Sequence, residues 1–304
     1  MKQGPLRDRT AVVTGAARGL GAALAHELAR RGVRVALLGH EEDRLRALAA
    51  ALPTRAAAWA VDVTDEAAMA DAGRQVRATL GPPSVVVANA GVAEGGLFAD
   101  VDMASWRRAV DVDLSGSAIT ARTFLPDLVA TAGYYLQVAS LASLGAAPMM
   151  SAYCAAKAGV EAFAFALRAE VAHQGVAVGI AYPGWTDTDM IRDADRYPVM
   201  RGLRGLMPPP SDRTLPTEKV AVRLARAVER RRASVYVPRW LVAVQAFRPA
   251  VPPVVSRVAR RQIPRLAAGD PLRPTGLLGP GGEADRQACA ARDRRSGGEA
   301  APPG

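Results

Sequence analysis

Tyr153 and Lys157 are the first residues whose types and spacing suggest chemistry. They lie four positions apart on a predicted helix, so their side chains share one helix face. An ammonium beside a phenol stabilises phenolate and lowers a pKa that starts near ~10, which moves the tyrosine toward acid/base use at neutral pH. Such pairs also arise by chance, but Lys157 is one of only three lysines in the chain. With Ser140 at the end of the preceding predicted strand, the set suggests proton transfer.

A glycine-rich turn over residues 14–21 is a second candidate site. It reads T-G-A-A-R-G-L-G and stands between a predicted strand and a predicted helix. Glycines allow positive φ angles and let the backbone approach a pyrophosphate, which rests on the helix N-terminus. The spacing is G-x-x-x-G-x-G rather than the general dinucleotide fingerprint, so a small-residue turn in an Ala/Gly-rich sequence is the alternative. The flanking strand and helix favour a dinucleotide site.

Short β-branched runs alternate with Ala-rich helical stretches from residue 10 to residue 238. Most runs are continuous, as expected for parallel strands buried on both faces. The alternation predicts an α/β fold, a doubly wound parallel seven-stranded sheet with helices on both faces. The predicted strands are Ala11–Thr14, Val33–Leu38, Ala57–Val61, Val85–Ala88, Tyr134–Ala139, Val176–Ala181 and Ser234–Val237. The predicted helices are Gly19–Arg31, Glu41–Leu52, Asp65–Leu80, Met103–Ala130, Ser151–Gln174 and Thr217–Arg232.

The sequence predicts one domain followed by a C-terminal extension. Residues 1–8 form a leader and residues 9–238 form the domain. Within it, residues 186–216 are irregular and rich in Arg, Met and Pro, which predicts a binding lid or a disordered loop. Residues 239–266 are amphipathic but interrupted by prolines. Gly, Pro, Arg and Asp dominate residues 267–304, which predicts a disordered tail.

Composition and charge exclude several classes of protein. The chain has 304 residues and 50% are hydrophobic, which is too much for a disordered chain. Two cysteines make no disulfide framework or four-ligand zinc site, and no run approaches the ~20 apolar residues of a membrane span. The net charge of +10 lies mainly after residue 238, without a recognisable nucleic-acid-binding module. No secretory signal pattern is present. We therefore expect a cytoplasmic protein that binds no nucleic acid.

Together these motifs resemble the short-chain dehydrogenase/reductase family over about residues 8–238. The resemblance implies a Rossmann fold and an NAD(P)(H)-dependent oxidoreductase that interconverts an alcohol and a ketone or aldehyde. It also implies that Asp62 contacts adenine and that Thr186 and Thr188 hold the nicotinamide carboxamide. The positions that match the family's cofactor contacts are Gly15, Arg18, Gly19, Leu20, Gly21, His40, Asp62, Val63, Asn89, Ala90, Gly91, Tyr153, Lys157, Pro183, Gly184, Thr186 and Thr188.

The same resemblance implies the catalytic roles, and it implies no metal. Tyr153 transfers the hydroxyl proton, Ser140 orients the substrate oxygen, and Lys157 holds the ribose and lowers the tyrosine pKa. The family usually has Asn in V-N-L-x-G, where it supports a water in the proton relay, but this sequence has Asp113. An ionised Asp accepts hydrogen bonds and does not donate them. A catalytically weak or inactive dinucleotide-binding scaffold is therefore the alternative function.

Dinucleotide choice is usually decided at the end of the second strand, where an acid binds the ribose 2′-hydroxyl or a base binds a 2′-phosphate. Gly39 stands where NAD enzymes of the family typically carry Asp. Arg18 resembles the basic residue that contacts the 2′-phosphate, and His40 adds a possible hydrogen bond. The rival is Glu41, as the ribose acid or as an ordinary acidic helix start. NADP(H) is favoured over NAD(H).

The substrate is limited only to a class, a small-molecule alcohol or carbonyl compound. Methionines line adaptable apolar pockets, so a lipophilic substrate (steroid-, retinoid- or fatty-acyl-like) is favoured over a sugar. Ordinary packing of the lid is the alternative explanation for these residues. They are Met149 and Met150 at the helix start and Trp185, Met190, Met200, Leu203 and Met207 in the lid.

Two further expectations concern partners. Ala-rich faces on the predicted helices 103–130 and 151–174 suit close helix packing, and the resemblance implies a homodimer or homotetramer through a two-fold interface. Peripheral membrane contact through residues 239–266 is the alternative role of the extension. Packing of that extension on the core or across a subunit interface is favoured over it.

Overall fold

The computed structural model describes residues 5–145, 147–205, 207, 209–269 and 272–298. All seven predicted strands are present, with bounds that shift by at most two residues. Two short strands, β5 and β9, were not predicted. The strands within the described residues are β1 (Thr10–Thr14), β2 (Arg34–Gly39), β3 (Ala56–Ala60), β4 (Val85–Ala88), β5 (Glu94–Gly95), β6 (Tyr134–Val138), β7 (Ala177–Pro183), β8 (Ser234–Val237) and β9 (Gly276–Leu277).

The main sheet is parallel throughout and has the strand order β3-β2-β1-β4-β6-β7-β8. In its centre, Val12 of β1 pairs with Ala36 of β2 on one side and with Val86 of β4 on the other. The chain winds outward in opposite directions from β1 and β4, so a crevice forms at the carboxyl ends of these two strands, where open α/β sheets bind ligands. The predicted doubly wound fold is confirmed.

Helices cover both faces of the sheet and surround its carboxyl edge. Helices α4 and α5 are joined without a break by a π-helical turn, Asp111–Ser115, so the predicted stretch 103–130 is one continuous rod. The helices of the described residues are α1 (Gly19–Ala29), α2 (Glu42–Ala51), α3 (Glu66–Leu80), α4 (Met103–Val110), α5 (Gly116–Ala130), α6 (Ser151–Val171), α7 (Asp189–Ala194), α8 (Pro198–Gly205), α9 (Thr217–Glu229), α10 (Leu241–Ala246), α11 (Val251–Gly269) and α12 (Gly279–Gly298).

Each strand of the sheet contributes side chains to two cores. Val86 packs with Phe124 of α5 on one face, whereas the next residue, Val87, packs with Leu24 of α1 on the other. Both valines are fully buried. Burial on both faces explains why the strands are continuously apolar instead of alternating.

The predicted lid, residues 186–216, is more regular than its sequence suggested. Two short helices, α7 and α8, lie within it. Residues 206 and 208 of this segment lie outside the described residues.

The prediction of a disordered tail over residues 267–304 is wrong for residues 267–269, which belong to α11, and for residues 272–298. Strand β9 pairs antiparallel with β5, with Leu277 opposite Glu94. Leu277 and Leu278 are buried, and α12 follows them. Two apolar residues and one short strand therefore anchor a segment whose overall composition suggested disorder. Residues 1–4 of the leader, and residues 270, 271 and 299–304 of the tail, lie outside the described residues.

None of the helices in the described ranges combines the length and the apolar character that crossing a membrane requires.

Candidate active site

A cavity of about 670 Å³ lies at the carboxyl ends of the parallel strands. Asp62 and Asp113 are buried beside it and do not line it. All the other predicted site residues are gathered here. They are Gly15, Arg18, Gly19, Leu20, Gly21, His40, Val63, Asn89, Ala90, Gly91, Ser140, Tyr153, Lys157, Pro183, Gly184, Thr186 and Thr188.

The turn after β1 requires glycine at two positions. Gly15 has a φ of +62°, and a Cβ there would lie 2.8 Å from the Cα of Ala90. A Cβ at Gly21 would lie 2.2 Å from the carbonyl oxygen of Gly15. Without side chains at these glycines, a ligand can approach the backbone of the turn. The turn leads into the N-terminus of α1, and a helix N-terminus favours an anionic group. The turn therefore fits the pyrophosphate of a dinucleotide.

Asn89 supports this turn from the neighbouring strand. Its side-chain amide donates hydrogen bonds to the carbonyl oxygens of Thr14 (3.0 Å) and Gly15 (3.3 Å). The backbone amides of Asn89 and Ala90 both donate to the Thr14 hydroxyl, at 3.0 and 3.1 Å. The N-A-G segment thus holds the glycine turn in place as well as lining the cavity.

Tyr153 and Lys157 lie one turn apart on α6, with the ammonium nitrogen 5.4 Å from the centroid of the tyrosine ring. Both Lys157 and Asp113 are buried, and Lys157 Nζ lies 2.9 Å from Asp113 Oδ2. Burial is the largest single effect and lowers the pKa of Lys157. The charges of Asp113 and Tyr153 and the hydrogen bond to Asp113 together raise it above its usual value. Lys157 is therefore protonated at neutral pH and places a positive charge beside the phenol.

Asp113 lies in the π-helical turn between α4 and α5. Its Oδ1 accepts a hydrogen bond of 2.7 Å from the amide of Val92. A Cβ at Gly91 would lie 3.1 Å from both Asp113 Oδ1 and Lys157 Nζ, so only a glycine leaves this ion pair undisturbed. Such π-helical turns are frequent at functional sites, and this one directs a carboxylate at the lysine.

Ser140 lies beside the phenol of Tyr153. Burial raises the pKa of Tyr153 and Lys157 lowers it, while Asp113 raises it and a hydrogen bond with Ser140 lowers it. The lysine acts in the expected direction, but burial is the larger effect and leaves the pKa above its usual value. The Ser140 hydroxyl also accepts a hydrogen bond of 3.1 Å from the amide of Ala142, which fixes its position at the start of a short 3-10 turn.

The segment after β7 lies next to the glycine turn. The Gly184 amide donates to the Val237 carbonyl oxygen at 2.7 Å, and the Thr186 hydroxyl donates to the Gly184 carbonyl oxygen at 3.1 Å. A Cβ at Gly19 would lie 3.4 Å from Thr188 Cγ2. Thr186 and Thr188 both line the cavity that the Tyr153 phenol lines.

Arg18 is engaged in ion pairs at one end of the cavity. Its guanidinium donates to both carboxylate oxygens of Glu41, and its Nη1 lies 3.1 Å from Asp189 Oδ2. Arg18 and Glu41 are the two residues that the sequence offers for recognising the 2′ position of the dinucleotide ribose. They bond each other near the end of β2.

Asp62 is held by groups that the sequence analysis did not identify. Burial raises its pKa, but hydrogen bonds from Thr64 and Arg292 and the charge of Arg108 lower it well below the usual range. Arg108 Nη2 lies 2.8 Å from Asp62 Oδ2, and the Arg292 guanidinium bonds the same oxygen. Arg108 also bonds Asp285, which lies 3.1 Å from His40. The two arginines and Asp285 come from α4 and α12, and the sequence analysis predicted disorder in place of α12.

Most of the remaining cavity wall is apolar, although Asp189, Arg204 and Ser211 of the lid also line it. The lid contributes three methionines, and α11 contributes a row of valines that the sequence analysis did not place in the site. A signal was present, because these valines recur at helical spacing in the amphipathic extension. The apolar lining includes Met150, Trp185, Met190, Met200, Met207, Trp240, Val244, Val251, Val254, Val255 and Val258.

Comparison with known proteins identifies related chains. A family model described as short chain dehydrogenase matches residues 9–197. An uncharacterized oxidoreductase of Staphylococcus saprophyticus is 31% identical over 195 residues, covering 62% of this chain and 83% of the relative.

Two relatives carry more specific names. A short chain dehydrogenase of Pseudocercospora fijiensis is 30% identical over 220 residues, covering 68% of this chain and 71% of that protein. The cis-4-hydroxycyclohexanecarboxylate dehydrogenase of Sinomonas cyclohexanicum is 36% identical over 189 residues, covering 60% of this chain and 76% of that protein. The family model covers six of the seven strands of the main sheet and ends before β8 and the C-terminal extension.

Proposed function

The chain belongs to the short-chain dehydrogenase family, and on that premise we propose that it interconverts an alcohol and a ketone or aldehyde. One observation carries the proposal. The Tyr153 phenol, the buried Lys157 ammonium and the Ser140 hydroxyl line the same cavity as a glycine turn that fits a pyrophosphate.

In this proposal the protein moves one proton at the Tyr153 hydroxyl. In the reductive direction, Tyr153 donates its proton to the substrate oxygen and Ser140 holds that oxygen with a hydrogen bond. In the oxidative direction, the tyrosine oxygen accepts the proton. The Lys157 charge stabilises the phenolate, and Asp113 keeps the ammonium in place.

A nicotinamide dinucleotide fits the residues present and, when bound, supplies or accepts the hydride. The glycine turn would hold its pyrophosphate, and Thr186 and Thr188 its nicotinamide end. NADP(H) is favoured over NAD(H), because Gly39 offers no carboxylate at the end of β2 and Arg18 reaches that end of the cavity. Since Arg18 bonds Glu41, a 2′-phosphate would compete with that carboxylate.

The apolar wall supports a lipophilic substrate. Methionines are adaptable and valines offer no hydrogen bonds, so a sugar would leave its hydroxyl groups unsatisfied against this lining. The Sinomonas relative is named for a hydroxycyclohexanecarboxylate. An alicyclic alcohol is therefore a rational first compound to test, followed by steroid-, retinoid- and fatty-acyl-like ones.

A two-fold assembly is also proposed. On α6, Ala155, Ala162, Ala166 and Ala169 face solvent, and the same helix exposes Phe165. A face of small apolar side chains that does not pack on the sheet suits a second copy of the chain, in a homodimer or homotetramer.

The alternative, a dinucleotide-binding scaffold with weak or no catalysis, is favoured by one observation. Asp113 stands where the family usually has Asn, and its charge opposes the effect of Lys157 on Tyr153.

A spectrophotometric screen separates the two functions. Purified protein is incubated with NADPH or NADH and a panel of aldehydes and ketones, and separately with NADP+ or NAD+ and the corresponding alcohols, and the change in reduced cofactor is followed. Turnover of any compound above the protein-free rate supports the enzyme. Dinucleotide binding without turnover across the panel, in both directions, supports the scaffold.

A further inference from the structure

Helix α12 lies against the end of the cavity where the adenosine half of a dinucleotide is expected. Gly281, Gly282, Ala284 and Asp285 line the cavity together with His40. This helix is far away in sequence from the residues it meets and lies beyond the segment matched by the family model.

Asp285 is buried, with a side chain that is 2% exposed. Its Oδ2 accepts from Arg108 Nε at 2.9 Å, and its Oδ1 accepts from Arg108 Nη2 at 2.6 Å. His40 Nε2 lies 3.1 Å from the same Oδ1. Burial raises the pKa of Asp285, but the hydrogen bonds from Arg108 and His40 lower it below its usual value. A carboxylate of this chain therefore occupies an anion site built from an arginine and a histidine.

Arg292, two turns later on α12, bonds Asp62. Asp62 is a buried, ionised acceptor, and it is the residue that the family resemblance assigns to adenine. The guanidinium thus presents N–H groups to the acceptor that an adenine amino group would use. Asp285 thus offers a negative charge to His40 and Arg108, and Arg292 offers N–H donors to Asp62. A bound dinucleotide would offer the same kinds of group.

The start of α12 is tied to the rest of the site. The Gly279 amide donates to Asp193 Oδ2 of the lid at 2.8 Å, and Leu277 is paired through β9. These contacts would keep α12 attached, and so at a high effective concentration near the site, if the rest of the helix left the cavity.

We propose that α12 is an internal competitor of the dinucleotide, in which Asp285 stands in for an anionic group of adenosine phosphate and Arg292 stands in for the adenine amine. Binding of the adenosine half then requires Asp285 and Arg292 to leave His40, Arg108 and Asp62. This inference rests on the proposed function, because it concerns the affinity of the same site for its cofactor.

Two measurements on the full chain test it. Titration calorimetry with NADPH compares the wild type with Asp285→Asn, and Glu283→Gln is the matched control. Glu283 is on the same helix and its carboxylate bonds Arg286 and Gln287 instead of the cavity. Asp285→Asn removes the charge that holds α12 to Arg108 and His40, so NADPH should bind about tenfold more tightly. Glu283→Gln should bind NADPH as the wild type does.

The second measurement follows the accessibility of the Cys289 thiol. Cys289 lies on α12 with its Sγ 4.0 Å from Asp285 Oδ2, and its labelling by a thiol reagent is read by peptide mass spectrometry, which separates it from Cys154. Saturating NADPH should accelerate labelling of Cys289, since the helix leaves the site. Asp285→Asn should accelerate it without NADPH.

The outcomes are distinct. Unchanged or weaker NADPH binding by Asp285→Asn, or slower Cys289 labelling with NADPH, overturns the competitor and leaves dinucleotide binding intact. If Asp285→Asn labels quickly but neither protein binds NADPH or NADH, dinucleotide binding itself is wrong, and the competitor with it.

Discussion

The buried ammonium of Lys157 lies 2.9 Å from the buried carboxylate of Asp113. The ion pair fixes the lysine beside Tyr153 and at the same time opposes its charge. The family usually has an uncharged Asn at this position. The ion pair is therefore the main difference between this site and the family's sequence pattern.

The first prediction is that Asp113→Asn is tolerated and moves the pH dependence of oxidation. Loss of the carboxylate removes an effect that raises the pKa of Tyr153, so the pH of half-maximal oxidation should fall. The measurement is kcat/KM against pH for both proteins, with circular dichroism to confirm folding. Severe loss of activity in a folded Asp113→Asn protein would show that the carboxylate has a role of its own.

The second prediction concerns Glu94 and stability. Glu94 is 2% exposed, and burial together with Asp102 raises its pKa to about 7 from 4.5. The native state therefore binds more protons than the unfolded state between these values, and the free energy of unfolding should fall as pH rises from 4.5 to 7. The span corresponds to about 3 kcal/mol at most.

Glu94→Gln should remove this dependence and stabilise the protein at pH 8. Denaturant unfolding at pH 5 and pH 8 measures it, with the exposed Glu170→Gln as the control. An identical loss of stability with pH in Glu94→Gln would show that other groups cause it.

The third prediction is that the wild type binds NADPH more tightly than NADH, and that Arg18→Ala weakens NADPH selectively. Only NADPH offers a 2′-phosphate for a charge-assisted hydrogen bond, worth about 10–100-fold in affinity. The two dissociation constants are measured for both proteins, with Arg46→Ala as a control, since Arg46 pairs with Glu42 outside the cavity. Equal losses of affinity for NADPH and NADH, or a wild-type preference for NADH, would contradict the role of Arg18. They would indicate that Glu41 determines the dinucleotide preference.

The fourth prediction is that the protein is a dimer or tetramer held by the exposed alanines of α6. Ala162→Arg should place a bulky charge in the interface and produce monomers in sedimentation velocity. Ala70→Arg on the exposed side of α3 is the matched control and should sediment as the wild type does. A wild-type monomer, or an assembly that Ala162→Arg does not affect, contradicts the proposed interface.

The sheet and the glycine turn were predictable because their determinants are local. Val86 and Val87 are both apolar because both faces are covered, and the glycines are spaced along one turn. The support that Asn89 gives to this turn was not predictable, because it depends on a partner seventy-five residues away. Helix α12 was missed for the same reason. Its Asp285 is stabilised by His40 and Arg108, and no local apolar pattern records those contacts.

The central claim, that Tyr153 transfers the proton, is tested most directly by Tyr153→Phe with a substrate found in the screen. The predicted result is a loss of about 10²–10⁴-fold in kcat, because the positioned acid/base is gone, with NADPH affinity retained. Tyr236→Phe is the control, since Tyr236 stacks on Tyr182 outside the cavity. Turnover by Tyr153→Phe at the wild-type rate would contradict the assignment.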